Sequence, residues 1–194
     1  MAKHTIRQEL YSVLAFVALL WLVFIVGQAL PVAPQEYGIT PRAWSGLLGI
    51  PLAPLLHANL QHLISNTIPL TVLLLLLAGS RANTWTVVVC IVLLSGALLW
   101  LFGRHAIHIG ASGLIYGLIT FLIISGVRER RIVPMITALI VGFLYGGALL
   151  SGVLPTSTPH ISWEGHLFGA IAGGVVALVQ TRSRAESEMP VTVG

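Results

Sequence analysis

Gly110-Ala111-Ser112-Gly113-Leu114-Ile115-Tyr116 is the stretch on which the reading of this chain turns. It opens an apolar run, residues 110–126, long enough to cross a bilayer. A serine between Ala and Gly at the start of a membrane helix has two possible uses. It can let helices approach closely, as small residues do in membrane interfaces. Or it can be a nucleophile, with the free N–H groups of the first helical turn nearby to hold a developing oxyanion. Taken alone, the stretch leaves both open.

Composition sets the surroundings. Of the 194 residues, 56% are hydrophobic and 8% are charged, against about 25% charged in a soluble domain. All six acidic residues are Glu, and there is no Asp. So few charges cannot clothe a water-facing surface, which points to a polytopic membrane protein and excludes intrinsic disorder. The net charge of +4 is spread over short polar breaks rather than gathered on one face. It therefore reads as a set of topology signals, and no nucleic-acid partner is expected. Cys90, the single cysteine, lies in an apolar run and packs as a small hydrophobe.

Six apolar runs follow one another. Residues 1–10 are a short polar segment, and Tyr11 to Leu30 is the first run, closed by Pro31 and Pro34. It is longer than a signal-peptide core of about 7–15 residues and lacks a clean small-x-small cleavage site, so a retained membrane helix is expected. Residues 31–60 hold Pro31, Pro34, Pro41, Pro51 and Pro54, which forbid one continuous helix. Apolar stretches and Trp44 beside Arg42 suggest a loop lying in the membrane interface. His62 to Gly79, Trp85 to Phe102, Gly110 to Gly126, Val133 to Gly152 and His166 to Gln180 are the remaining spans, with a loop at 153–165 and a tail at 181–194. The expected fold is an all-α, six-helix bundle over residues 11–180.

The positive-inside rule orients it. With the N-terminus inside, eight Lys and Arg fall on inner segments, and only Arg42 and Arg104 fall outside. Both termini are then cytoplasmic. The second, fourth and sixth spans all begin at the outer face. His62, Asn66, Ser112 and His166 therefore fall at a similar depth, near the outer ends of three helices. Polar groups in hydrocarbon are costly unless they pair or line a wet cavity, so four at one depth suggest a meeting point.

A nucleophilic serine needs a base within hydrogen-bond reach, and His166 is the candidate, although an interfacial histidine at a helix end is the plainer alternative. Gly165, Gly169 and Gly173 recur every four residues and make a flat helix face beside His166. That face can press against the fourth span and bring His166 to Ser112. Tyr116, one turn beyond Ser112, can stack on the imidazole. With no Asp in the chain a Ser-His-Asp triad is impossible, and Glu164 is the one acid near His166. His62 and Asn66, four apart on one face, suit oxyanion donors better than a metal site, because no acidic partner accompanies them. No metal or cofactor is expected. His57 is expected to order the interfacial loop by hydrogen bonding.

Three segments together carry a resemblance. His57-Ala58-Asn59-Leu60-Gln61-His62-Leu63-Ile64-Ser65-Asn66, Gly110 to Gly117, and Gly165-His166-Leu167-Phe168-Gly169-Ala170-Ile171-Ala172-Gly173 resemble the signature segments of the rhomboid intramembrane serine proteases, in order and in helix assignment. The resemblance spans about residues 11–180 and the minimal six-helix prokaryotic form. It implies Ser112 as nucleophile and His166 as general base. It implies an oxyanion site from Asn66, His62 and the Ser112 backbone N–H. Gly110 would lie beside the bound carbonyl, Tyr116 would pack on the catalytic histidine, and Gly169 and Gly173 would let the sixth span pack on the fourth. Residues 31–60 would be the interfacial loop, 153–165 a cap, and the fifth span a substrate gate. Arg42 and Trp44 match the family's loop only approximately, so their role stays open.

The expected activity is a serine endopeptidase that cleaves transmembrane segments of other proteins near the outer face of a prokaryotic plasma membrane. The alternatives are a non-catalytic protein of the same fold that binds membrane helices, and a small transporter. Against the first stand both Ser112 and His166. Against the second stands the want of an internal repeat. The substrate and the oligomeric state are not specified by the sequence.

Overall fold

The computed structural model describes residues 6–31, 33–80, 83–155 and 162–187. Six long helices carry the chain: α1 (Ile6–Ala29), α3 (Leu60–Ser80), α4 (Thr84–Phe102), α5 (Ser112–Glu129), α6 (Ile132–Gly152) and α7 (Trp163–Ser187). A short helix, α2 (Gly49–Leu52), sits in the proline-rich loop between α1 and α3, flanked by single 3-10 turns. Among the described residues there is no β-strand. One isolated antiparallel bridge joins Ile39 to His108.

The element bounds differ from expectation in instructive places. Helix α5 begins at Ser112 rather than Gly110, because Gly110 sits at φ +108, a conformation a right-handed helix cannot contain. Helix α7 runs past Gln180 to Ser187. Its later turns are tied to α5 by Arg128 Nε, which donates to Thr181 Oγ1 at 3.0 Å. The prolines of 31–60 break that segment into four short turns, as their missing N–H groups require. Pro69 is tolerated inside α3, where Thr67 and Thr71 hydroxyls bond back to the carbonyls four residues earlier. The middle of the expected cap, residues 156–161, and residues 188–194 of the tail lie outside the described residues.

Five of the long helices are long and apolar enough to cross a membrane by length and composition: α1, α3, α4, α5 and α6. The sixth expected span lies within α7, whose glycines, Glu164, His166 and Gln180 lower its apolar content. It gives up lipid-facing bulk because it packs on protein, chiefly on α5 and α4. Helix α5 is the axis of the bundle and packs against α7, α6, α4 and α3. Phe121, Leu118, Leu63, Leu70, Leu73 and Ile91 are fully buried around it. On α6, by contrast, Leu139, Phe143 and Leu150 stand outward, as residues facing lipid do.

Candidate active site

Ser112 is the first residue of α5, and the turn ahead of it is set by backbone bonds. Ile39 and His108 exchange both N–H···O bonds at 2.9 Å, and the Gly110 N–H donates to the Ala53 carbonyl at 2.8 Å. The proline-rich loop between α1 and α3 thus grips residues 108–110. A Cβ on Gly110 would lie 2.6 Å from Cε1 and Nε2 of His62. Glycine is required there twice, for a torsion that L side chains rarely adopt and for the approach of the His62 ring to the backbone.

Glycine faces bring α5 and α7 together backbone to backbone. Gly169 faces the carbonyl of Gly113, and Gly173 faces the carbonyl of Gly117, so closely that a Cβ at either would collide. At Gly113 a Cβ would meet the Gly165 carbonyl at 3.3 Å. Ser112 and His166 each adjoin this seam on their own helix, so a spacing of four on both helices sets them at one level. Both line an open cavity of ≈ 980 Å³, together with His62, Asn66 and Tyr116. The four polar residues expected at one depth thus all line this one cavity.

The His166 ring is held on two sides. Its Nδ1 lies 3.0 Å from the carbonyl oxygen of Gly152, at the end of α6. A carbonyl only accepts, so Nδ1 carries the hydrogen, and in the neutral ring Nε2 carries the lone pair. The ring also stacks flat on Tyr116, with centroids 4.2 Å apart and planes 1° from parallel. The Tyr116 hydroxyl in turn donates to the Ala148 carbonyl at 3.0 Å. No direct hydrogen bond joins Ser112 Oγ to His166 in this arrangement. Glu164, the one acid near His166 in sequence, is buried and turned to Arg104, with Oε2 3.6 Å from Nη1.

Asn66 is 3% exposed, and its Nδ2 donates to the His62 carbonyl at 2.7 Å. An amide has two N–H groups, so one remains for the cavity. The first turn of α3 is capped by Asn59, whose Oδ1 accepts the His62 N–H at 2.8 Å. The His62 ring meets His57 edge-on at 5.0 Å. His57 differs from expectation. It is buried, and neither ring nitrogen makes a well-aligned hydrogen bond, the backbone at Leu55 being the polar group nearby. The loop is ordered instead through its backbone, the His57 carbonyl accepting from Gln35 Nε2 at 3.1 Å. Burial above all, with the neighbouring His62, lowers the His57 pKa to about 4.

Sequence reasoning missed a second polar cluster on the cavity wall. Ser162 Oγ accepts the Gly165 N–H at 3.2 Å and lies 2.7 Å from His108 Nδ1. His108 Nε2 lies 3.1 Å from the Arg104 carbonyl, so Nε2 carries the hydrogen and Ser162 donates to Nδ1. Burial is the main influence lowering the His108 pKa. Ser162 directly before an apolar helix is a legible N-cap signal, but nothing local marks His108 as its partner. Arg42 and Trp44, whose roles were open, act on α4. Arg42 Nη1 donates to the carbonyls of Leu101 and Gly103 at 3.2 and 2.9 Å, at the C-terminal end of that helix. Trp44 stands 84% exposed beside Trp100. Among the described residues no group of three His, Cys or Glu side chains could hold a metal ion.

A bundle of long apolar helices with a polar cavity toward one end defines an integral, multi-pass membrane protein. Residues 42–183 match the family model for the rhomboid domain, and the chain belongs to the rhomboid family. It is 43% identical over 176 residues to an uncharacterized protein of Mycobacterium tuberculosis, covering 86% of this chain and 72% of that one. A Mycobacterium leprae protein is 42% identical over 176 residues, covering 86% and 69%. A rhomboid-like protein of Acanthamoeba polyphaga mimivirus is 30% identical over 129 residues, covering 63% and 69%.

Proposed function

We propose that this protein is an intramembrane serine endopeptidase that cuts transmembrane segments of other membrane proteins with a Ser112–His166 dyad. The observation that carries the reading is the cavity that Ser112 and His166 share at the level of the glycine seam. The tautomer of His166 agrees with it, since Nε2 is the atom free to take a proton. Catalytic hydrogen bonds are often long in a free enzyme and tighten when substrate binds, so the gap between Ser112 and His166 is compatible with this role.

In this mechanism His166 Nε2 takes the Ser112 proton as Oγ attacks the scissile carbonyl. The oxyanion is held by the Ser112 backbone N–H, the free Asn66 N–H and His62. The proton then passes to the leaving amine, and water hydrolyses the acyl-enzyme with His166 acting again as base. Water reaches the site through the open cavity, which the bilayer would otherwise exclude. A substrate helix hides its carbonyls in i→i−4 bonds, so it must unwind locally before attack. Segments with Gly, Pro or other weak helix formers near the outer leaflet are the favoured class. The eight inner against two outer Lys and Arg favour cytoplasmic termini, and the mycobacterial relatives support a bacterial plasma membrane as the setting.

The test is covalent labelling of purified protein with a fluorophosphonate probe, together with cleavage of a transmembrane substrate in detergent. Wild type labels and cleaves, whereas Ser112→Ala and His166→Ala do neither. Cleavage that survives in Ser112→Ala would sink the proposal.

A further inference from the structure

The outer end of α6 touches the site at two points. The Gly152 carbonyl takes the Nδ1–H of His166, and the Ala148 carbonyl takes the Tyr116 hydroxyl. The fit is tight, because a Cβ on Gly152 would collide with the Tyr116 hydroxyl. Elsewhere this end is held by Tyr145 and Leu149, which pack against the core, while its outward side stands exposed. Gly142, Gly146 and Gly147 have nothing within 4 Å of where a Cβ would stand, and Phe143 and Leu150 are 90% and 71% exposed. A second close contact between α6 and α5 lies at the opposite end, where Gly126 packs against Pro134 and Ala138.

A serine–histidine pair normally needs a third group to choose the tautomer and aim of the ring. This chain has no Asp, and Glu164 is turned to Arg104. The geometry points to the Gly152 carbonyl as that group, a positioning element that keeps the proton on His166 Nδ1 and the lone pair on Nε2. The base is therefore assembled only while the outer end of α6 is seated against Tyr116. Displacing that end removes both carbonyls at once and leaves the imidazole free to flip or to exchange tautomers. This inference rests on the reading of His166 as the general base.

The experiment uses full-length protein in detergent, labelled with ¹⁵N-histidine, at a pH where His166 is neutral. The His166 signals are those that vanish in His166→Ala. In wild type, Nδ1 should show a protonated-type and Nε2 an unprotonated-type resonance. Gly152→Ala, which pushes the α6 end off Tyr116, should mix the two tautomers. It should also slow fluorophosphonate labelling of Ser112 by about tenfold or more, within the roughly 10⁴-fold that a wrong tautomer costs a soluble protease. Its half-saturating probe concentration should stay within about twofold, because the defect lies in the chemical step. A wild-type His166 protonated on Nε2 overturns the inference, and this holds even if Gly152→Ala fails to fold. So does a folded Gly152→Ala with unchanged tautomer and rate. Absence of His166-dependent labelling in wild type would instead count against the protease reading itself.

Discussion

At the residue scale the site depends on groups that each do two things. Asn66 spends one amide hydrogen on the His62 carbonyl, which locks its side chain, and keeps the other for the cavity. Pre-set donors of this kind stabilise an oxyanion without reorganising, and losing one costs on the order of 10²–10³ in kcat. Asn66→Ala should therefore lower kcat by about that factor while still labelling slowly with fluorophosphonate. A variant with wild-type turnover would remove Asn66 from the oxyanion site. Gly110 was legible as a close-approach residue, but its partner was not. That the ring of His62 lies against it follows from the meeting of α3 with the turn before α5, which no local spacing encodes.

At the element scale the α5–α7 seam decides whether the site exists. Gly169 and Gly173 face the carbonyls of Gly113 and Gly117, so added side-chain volume has nowhere to go. Overpacking of a tight core typically costs about 1–3 kcal/mol, and backbone on the facing side yields less readily than a side chain. Gly169→Leu should lower the melting temperature in detergent and abolish cleavage, because it parts Ser112 from His166. Gly142→Leu on α6, where nothing stands within 4 Å, serves as the matched control and should leave the melting temperature nearly unchanged. The four-residue glycine spacing on α7 could be read directly from the sequence. The interfacial loop could not be resolved in the same way. Its prolines forbade one helix, but the pairing of Ile39 with His108 and the Ala53–Gly110 bond join residues more than fifty apart.

At the scale of the whole molecule, buried neutral histidines outside the spans tie stability to pH. The His57 pKa falls to about 4 in the folded chain, from the ordinary 6.5. The unfolded chain thus takes up the proton first as pH falls, and the folded state loses stability between about 6.5 and 4. His108 is shifted in the same direction. The melting temperature of wild type should drop on going from pH 7.5 to 5, and His57→Phe should reduce that drop. An equal drop in both would show that His57 does not control it. The topology has its own check. A reporter fused after residue 194 should fluoresce or react only on the cytoplasmic side, in keeping with the eight Lys and Arg assigned to inner segments.

Hydropathy, the scarcity of charge and three ordered motifs determined by themselves that this is a helical membrane protein of rhomboid type. Those properties depend on composition and on short-range periodicity, which a linear chain displays openly. Tertiary structure alone decided what orients the histidine and what the charged groups do. Glu164 adjoins His166 in sequence but turns to Arg104, while the carbonyl that holds the ring comes from Gly152, fourteen residues earlier on another helix. A backbone carbonyl has no residue type to betray it. Every residue carries one, and only the packing of α6 against α5 and α7 selects which of them reaches the ring.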